Sequence, residues 1–169
     1  MKRILIIGNA GAGKTTFALA LKDKINVPVV HLDRLFWKDN WNYICAEEFD
    51  ELLEKALVKQ EWIIDGNYNR TLRYRMNYCD TVFYFDFPTA TCLWGITKRI
   101  FQNYGKSRAD MGGKCPEYFD RQKLYLYKSV FGFNRRHRKE YHRLLKTRNN
   151  SINVVVFKNR AQVKKYLEK

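Results

Sequence analysis

The sequence predicts an α/β domain, a five-stranded parallel sheet covered on both faces by helices, and three observations lead there. Short apolar runs at 4–7, 27–32, 62–64, 81–85 and 152–157 alternate with segments of helical period. Such an alternation marks a parallel sheet buried on both sides. A glycine-rich turn, 8–13, lies between the first apolar run and the first helical one. The chain has 169 residues, 46% hydrophobic and 15% aromatic, which suits a single packed domain over 1–169.

Each element has its own local reason. Ile4 to Ile7 follows Lys2-Arg3 as the apolar part of a leader peptide would, but the run stops at Gly8, so it reads as a buried strand. Thr15 to Lys24 reads as a helix and Val27 to Leu32 as the second strand. A polar, tryptophan-rich stretch follows from Asp33 to Tyr43. From Ala46 to Lys59, the residues Phe49, Leu52, Leu53, Ala56 and Leu57 recur at helical spacing, which predicts an amphipathic helix. Trp62-Ile63-Ile64 is the third strand, and Thr81 to Phe85 the fourth, closed by Pro88. Ala90 to Gln102 is helix-like, while 103–116 holds Gly105, Gly112, Gly113 and Pro116 without core periodicity and reads as a mobile segment. A basic, aromatic helix or helix pair is expected over 117–146. Ile152 to Phe157 is the fifth strand, and a terminal helix starts at Ala161.

Thirty-two Lys plus Arg against seventeen Asp plus Glu leave a net charge of +15. That balance implies a polyanionic partner and leaves open whether it is nucleotide phosphate, nucleic acid or a membrane surface. No run approaches the about 20 apolar residues of a membrane helix, so a soluble, cytoplasmic protein is expected. Cys45, Cys79, Cys92 and Cys115 lie far apart, with no C-x-x-C pair and no histidine at zinc-ligand spacing, which predicts free thiols.

Gly8-Asn9-Ala10-Gly11-Ala12-Gly13-Lys14-Thr15 is a complete G-x-x-x-x-G-K-[ST] motif, placed after a strand and opening a helix as its chemistry requires. Glycines let the backbone curl so that its N–H groups point at phosphates, and the helix start adds partial positive charge. The motif predicts binding of ATP or GTP with Mg²⁺ through Gly8, Asn9, Ala10, Gly11, Ala12, Gly13, Lys14, Thr15 and Thr16. Lys14 is expected on the β- and γ-phosphates and the Thr15 hydroxyl on Mg²⁺.

Asp65 ends the third strand at the carboxyl edge of the sheet, where the loop also lies. It reads as a Walker-B-like acid holding Mg²⁺ directly or through its waters, or as a turn aspartate before Gly66. Asp33 follows the second strand and is a candidate to orient or deprotonate an acceptor hydroxyl, with Arg34 gripping an acidic group on that acceptor; a helix cap or surface pair is the alternative. His31 reads as structural. Trp37 and Trp41 suit either a flat pocket or the core.

On these residues the chain resembles the adenylate-kinase-like branch of P-loop kinases, and more closely the small bacterial DNA topology modulation proteins. The matching segments are Gly8 to Thr15, His31 to Trp41, Trp62 to Tyr68 and Cys115 to Glu117. The resemblance implies a three-layer P-loop NTPase fold of the nucleoside-monophosphate-kinase type, with sheet order 2-3-1-4-5, an acceptor region at about 33–60 and a small lid at about 103–118. It implies that Arg70, in Asp65-Gly66-Asn67-Tyr68-Asn69-Arg70, binds the acceptor or the transferred phosphate. Arg99, in the helix after Phe85-Asp86-Phe87-Pro88, would face the ATP phosphates, and Arg108 would be a lid arginine, with Arg121 as a further lid-side candidate. Gly95 stands where adenylate kinases place an arginine on the adenine, which leaves ATP against GTP open.

Two functions follow. The first is transfer of the γ-phosphoryl group from ATP·Mg²⁺ to a small acceptor, a nucleotide or nucleoside among the candidates, using Lys14, Asp33, Arg70, Arg99 and Arg108. The second is ATP-regulated binding of nucleic acid by the basic stretch 128–148, in which Phe131, Phe133 and Tyr141 interleave with arginines. A GTPase switch is the weaker third reading, because the sequence has no Asn/Thr-Lys-x-Asp segment.

Overall fold

Strand β1 (Arg3–Gly8) occupies the centre of a five-stranded sheet in the computed structural model, which describes residues 1–147 and 151–168. Helix α1 (Lys14–Ile25) follows it, then β2 (Val29–His31), the short α2 (Leu32–Phe36), a 3-10 turn (Asp39–Trp41) and α3 (Ala46–Leu57). Next come β3 (Trp62–Asp65), α4 (Asn69–Met76), β4 (Thr81–Phe85) and α5 (Thr89–Gln102). The chain closes with α6 (Arg121–Lys146), β5 (Asn153–Phe157) and α7 (Arg160–Leu167). The strands stand in the order β2-β3-β1-β4-β5 and every pairing is parallel, as expected.

Alternation along β1 divides the core. Leu5 and Ile7 point to the layer that holds Phe49, Leu53, Tyr141 and Leu145 of α3 and α6. Ile4 and Ile6 point to the opposite layer, with Phe17 and Leu21 of α1 and Cys92 and Ile96 of α5. Successive side chains of a strand face opposite sides, so a run of unbroken apolar residues needs apolar cover on both. Phe17 makes edge contacts with Phe83, Phe85 and Phe157 at centroid distances of 4.9, 5.5 and 5.5 Å, clamping α1 to β4 and β5.

Several boundaries differ from expectation. Strand β2 is shorter than 27–32: Leu32, whose side chain is fully buried, already opens α2. Helices α2 and α4 were not anticipated, since with five and eight residues both are too short for a helical period to stand out. The long basic segment is one helix, starting at Arg121 and not near Glu117, because Asp120 caps it by accepting from the Lys123 N–H at 3.0 Å. Arg148, the last residue of the predicted basic stretch, lies outside the described residues. All four cysteines are free, and only Cys45 is exposed. Among the described residues no helix is long and apolar enough to cross a membrane.

Candidate active site

The carboxyl ends of β1, β2 and β3 open into a cleft of about 1060 Å³. The turn between β1 and α1 forms its floor, and here glycine is a geometric requirement. Gly11 has φ +78°, and a Cβ on it would stand 2.1 Å from the carbonyl oxygen of Cys92. The turn is pinned from two sides: the Gly8 N–H donates to Asn67 Oδ1 at 3.0 Å, and Asn9 Nδ2 donates to the carbonyl of Val130 in α6 at 2.9 Å.

Lys14 begins α1 and donates through Nζ to the Asn9 carbonyl at 3.0 Å, so its ammonium lies across the loop. Burial pulls its pKa below the usual lysine value, while Asp65 and Asp33 push the other way. The Thr15 hydroxyl donates to Asp65 Oδ2 at 2.6 Å, and Asp65 Oδ1 is buried with no hydrogen-bond partner. A buried carboxylate oxygen left unsatisfied beside a P-loop hydroxyl fits a hydrated Mg²⁺, which takes few protein ligands and keeps several waters. Thr15 and Asp65 are the residues that would hold it. His31 Nδ1 lies 3.3 Å from Asp65 Oδ2 and lines the cleft.

Asp33 sits on α2 at the cleft wall, where Tyr68 donates its hydroxyl to Oδ1 at 2.9 Å and Arg108 Nη2 approaches Oδ2 at 3.9 Å. Desolvation raises the Asp33 carboxyl pKa above the ordinary value, against the opposing pull of Arg108 and the Tyr68 hydrogen bond. The segment carrying Tyr68 is shaped by a residue the sequence did not single out. Arg75 of α4 is fully buried and donates to the carbonyls of Gly66, Asn67 and Tyr68 and to Thr71 Oγ1. Burial lowers its pKa to about 10, and it remains a cation that fixes the turn after Asp65.

Segment 103–118 does not stand away from the body. Lys114 N–H donates to Asp39 Oδ1 at 2.7 Å, Cys115 Sγ to the Lys38 carbonyl at 3.1 Å, and Trp41 Nε1 to the Pro116 carbonyl at 3.0 Å. Gly112 is packed so closely that a Cβ would be 2.2 Å from the Trp37 carbonyl oxygen. The segment is therefore docked on the region after α2. Its key residue is Glu117, with zero exposure, which pairs with Lys123 Nζ at 2.7 Å, Arg108 Nε at 3.2 Å and Arg99 Nε at 3.7 Å. Arg108 also reaches Asp110 at 2.9 Å. One buried acid thus holds Arg108 of the docked segment and Arg99 of α5 to the same wall of the cleft.

The cleft brings together Lys14, Thr15, Thr16, Asp33, Asp65, Arg99 and Arg108. Arg70 is not among them: it lies 55% exposed and forms two 2.7 Å bonds to Asp50 of α3, beside a separate, smaller hollow. Arg34 and Arg121 are exposed and outside the cleft. Trp37 lines the cleft, whereas Trp41 lies under Lys123, whose Nζ is 3.6 Å from the ring centroid. Glu117, Lys123, Asp110, Tyr68 and Arg75 went unselected by sequence reasoning. Three of them lay in segments that the resemblance covers: Tyr68 at the end of Trp62 to Tyr68, Asp110 two residues after Arg108, and Glu117 as the acid of Cys115-Pro116-Glu117.

The basic side chains of the stretch, Lys128, Arg135, Arg136, Arg138, Lys139, Arg143 and Lys146, are exposed, whereas its aromatics are mostly turned inward. Phe133 and Tyr141 are buried and only Phe131 of the three aromatics is exposed. Arg138, His142 and Lys158 surround the buried carboxylate of Asp86.

The fold and the loop define the chain's class: a three-layer α/β fold with a parallel sheet in the order β2-β3-β1-β4-β5 and a G-x-x-x-x-G-K-[ST] loop at its first turn. No protein-family model matches the sequence, and no curated protein matches it significantly. In structure it is similar to shikimate kinase from Bacteroides thetaiotaomicron, with a TM-score of 0.56 over 99% of this chain and 94% of that one, at 17% identity. That identity carries the fold and not the acceptor.

Proposed function

We propose that the chain is an ATP·Mg²⁺-dependent phosphotransferase acting on a small hydroxyl acceptor. The observation that carries this reading is the convergence on one cleft of Lys14, Asp65, Asp33, Arg99 and Arg108, supplied by α1, β3, α2, α5 and the docked 103–118 segment. Phosphoryl transfer asks little covalent chemistry of a protein beyond placing the reactants in line and neutralising charge.

Lys14 and the loop amides hold the β- and γ-phosphates, and Thr15 with Asp65 would hold Mg²⁺ beside them. Mg²⁺, when bound, supplies charge neutralisation on the phosphate oxygens. Asp33 accepts the proton of the acceptor hydroxyl as its oxygen forms the new bond to phosphorus and the bond from phosphorus to the ADP oxygen breaks. Arg99 and Arg108 face the charge on the transferred group. The docked segment screens the site from water, which favours the acceptor over hydrolysis. Gly95 lies against the loop, so no side chain at that position reaches the base.

The test is ADP release from ATP·Mg²⁺ across nucleosides, nucleoside monophosphates, sugars and small hydroxy acids, with Lys14→Ala as control. An acceptor that raises release well above basal hydrolysis, abolished in Lys14→Ala, supports the reading. Release that no acceptor changes overturns it.

A further inference from the structure

Helices α5 and α6 run antiparallel along one seam: the hydroxyls of Thr97 and Tyr127 lie 2.7 Å apart, and Asn134 Nδ2 donates to Thr89 Oγ1 at 3.2 Å. Around the Thr97–Tyr127 contact stand four large apolar side chains. Trp94 and Phe101 lie three residues before and four after Thr97, and Leu124 and Phe131 lie three before and four after Tyr127. Residues three and four apart share a helix face, so all four flank the seam. They point outward: Trp94 is 63% exposed, Phe101 67%, Leu124 61% and Phe131 72%. Phe119, itself half exposed, extends the patch, its ring centroid 5.1 Å from that of Phe101. Three aromatics so exposed present on the order of 300–500 Å² of apolar surface. That equals the largest patch of a typical monomer, and such patches mark a contact.

The charge of this face selects what it contacts. Along α6, Arg121, Leu124, Lys128, Phe131 and Arg135 follow at spacings of three and four, and all five are exposed, so cations alternate with apolar groups on one stripe. Helix α5 contains no acid. Glu140, the only acid of α6, pairs with Arg73 of α4 at 3.7 Å, and Asp120, at the end of the stripe, caps α6 through the Lys123 N–H. A second copy of the chain docked here would set the cations of one stripe against those of the other, which costs affinity. A nucleic-acid strand would find Leu124 without a face to stack on, and aromatics that ring one point instead of tracking a backbone. An anionic bilayer suits both features. Its headgroups meet the cations, while Trp, Phe and Leu side chains enter the boundary between headgroups and acyl chains.

From this ring of exposed apolar side chains beside an unopposed basic stripe, we infer that the α5–α6 face binds the surface of an anionic phospholipid bilayer. The chain lies on the bilayer by this face; among the described residues no helix is long and apolar enough to cross it. Helix α5 turns its other flank, with Lys98, Arg99 and Gln102, to the cleft, so bilayer and nucleotide occupy different sides of one helix.

The test is co-sedimentation of the full chain with phosphatidylcholine vesicles, with and without phosphatidylglycerol, alongside sedimentation velocity without lipid and binding of a single-stranded oligonucleotide. The chain is expected to bind the anionic vesicles and not the neutral ones. Phe131→Ser should weaken that binding about tenfold, and Lys128→Gln about fivefold. Both side chains are exposed and neither lines the cleft, so melting temperature and ATP affinity should stay unchanged and serve as controls. No vesicle binding, or equal binding to both kinds, overturns the inference. Binding that Phe131→Ser leaves unchanged is attraction by net charge alone and overturns it too. A dimer that Phe131→Ser dissociates gives the face to a second copy. An oligonucleotide bound more tightly than the vesicles, and weakened by Phe131→Ser, gives it to nucleic acid; either result overturns the assignment to a bilayer.

Discussion

Gly95 of α5 rests directly on Gly11 of the phosphate loop: a Cβ at Gly95 would lie 2.0 Å from the Gly11 carbonyl oxygen. Helix α5 therefore presses backbone to backbone on the loop, and no side chain fits at this position. That contact is the physical reason why position 95 is glycine. Gly95→Ala forces α5 away from the loop. It is expected to destabilise the protein by about 1–3 kcal/mol, as overpacking does, and to weaken ATP binding. Thermal unfolding with and without ATP·Mg²⁺ measures both; an unchanged melting temperature would show that the contact is softer than its geometry.

Thr15 and Asp65 share a 2.6 Å hydrogen bond, and the second Asp65 oxygen is buried and unsatisfied. Asp65→Asn keeps the shape and removes the charge. The Mg²⁺ concentration that half-saturates ADP release should rise about 10- to 100-fold, the range for groups that orient a metal's ligands. An Mg²⁺ titration at saturating ATP checks this, and an unshifted midpoint would assign Asp65 to the turn alone.

Glu117, with zero exposure, pairs with three cations. Glu117→Gln takes from Arg99 and Lys123 the acid that pairs them and leaves Arg108 with Asp110. Breaking a buried charge network from one side costs about 3–5 kcal/mol. Denaturant unfolding should show a lower midpoint with the slope preserved, and the docked 103–118 segment should become the first site of proteolysis.

Asp33 carries a raised pKa in the folded cleft. A base must be deprotonated to accept a proton, so kcat/KM should fall as pH drops through that raised value, which lies above 3.8. Asp33→Asn should lower kcat and remove the acid limb together. A profile with the same limb in the variant would assign it to another group.

Asp86 behaves in the opposite sense. Burial alone would raise its pKa, but hydrogen bonds from Arg138 and Lys158 outweigh that and bring it from 3.8 to about 2. Its folded pKa is depressed, so its contribution is complete above the unfolded pKa near 3.8 and is lost as pH falls toward about 2. On this basis Asp86→Asn should cost on the order of 2 kcal/mol at neutral pH and flatten the stability curve between those two values. Urea unfolding at stepped pH measures it.

The frame of this protein was readable from short stretches of sequence. Five apolar runs became five parallel strands, and the glycine motif became the floor of the cleft, because both depend on local pattern: side-chain alternation in a strand and positive φ at particular glycines. Asp65 and Asp33 were legible for the same reason, each being the first acids beyond a strand end.

What local pattern does not carry is partnership across the chain. Arg70 and Arg108 look alike as sequence, yet Arg70 turns outward to Asp50 while Arg108 turns inward to Glu117 and Asp110. Arg75, in the same helix as Arg70, is taken into the interior to hold a turn. The sequence by itself determined that this chain would be basic and would carry a glycine-rich loop at its first strand-to-helix turn. Only the tertiary structure decided which of its cations face the cleft and which are already neutralised, because the field of a charge depends on distance and burial, and both are set by residues remote in sequence.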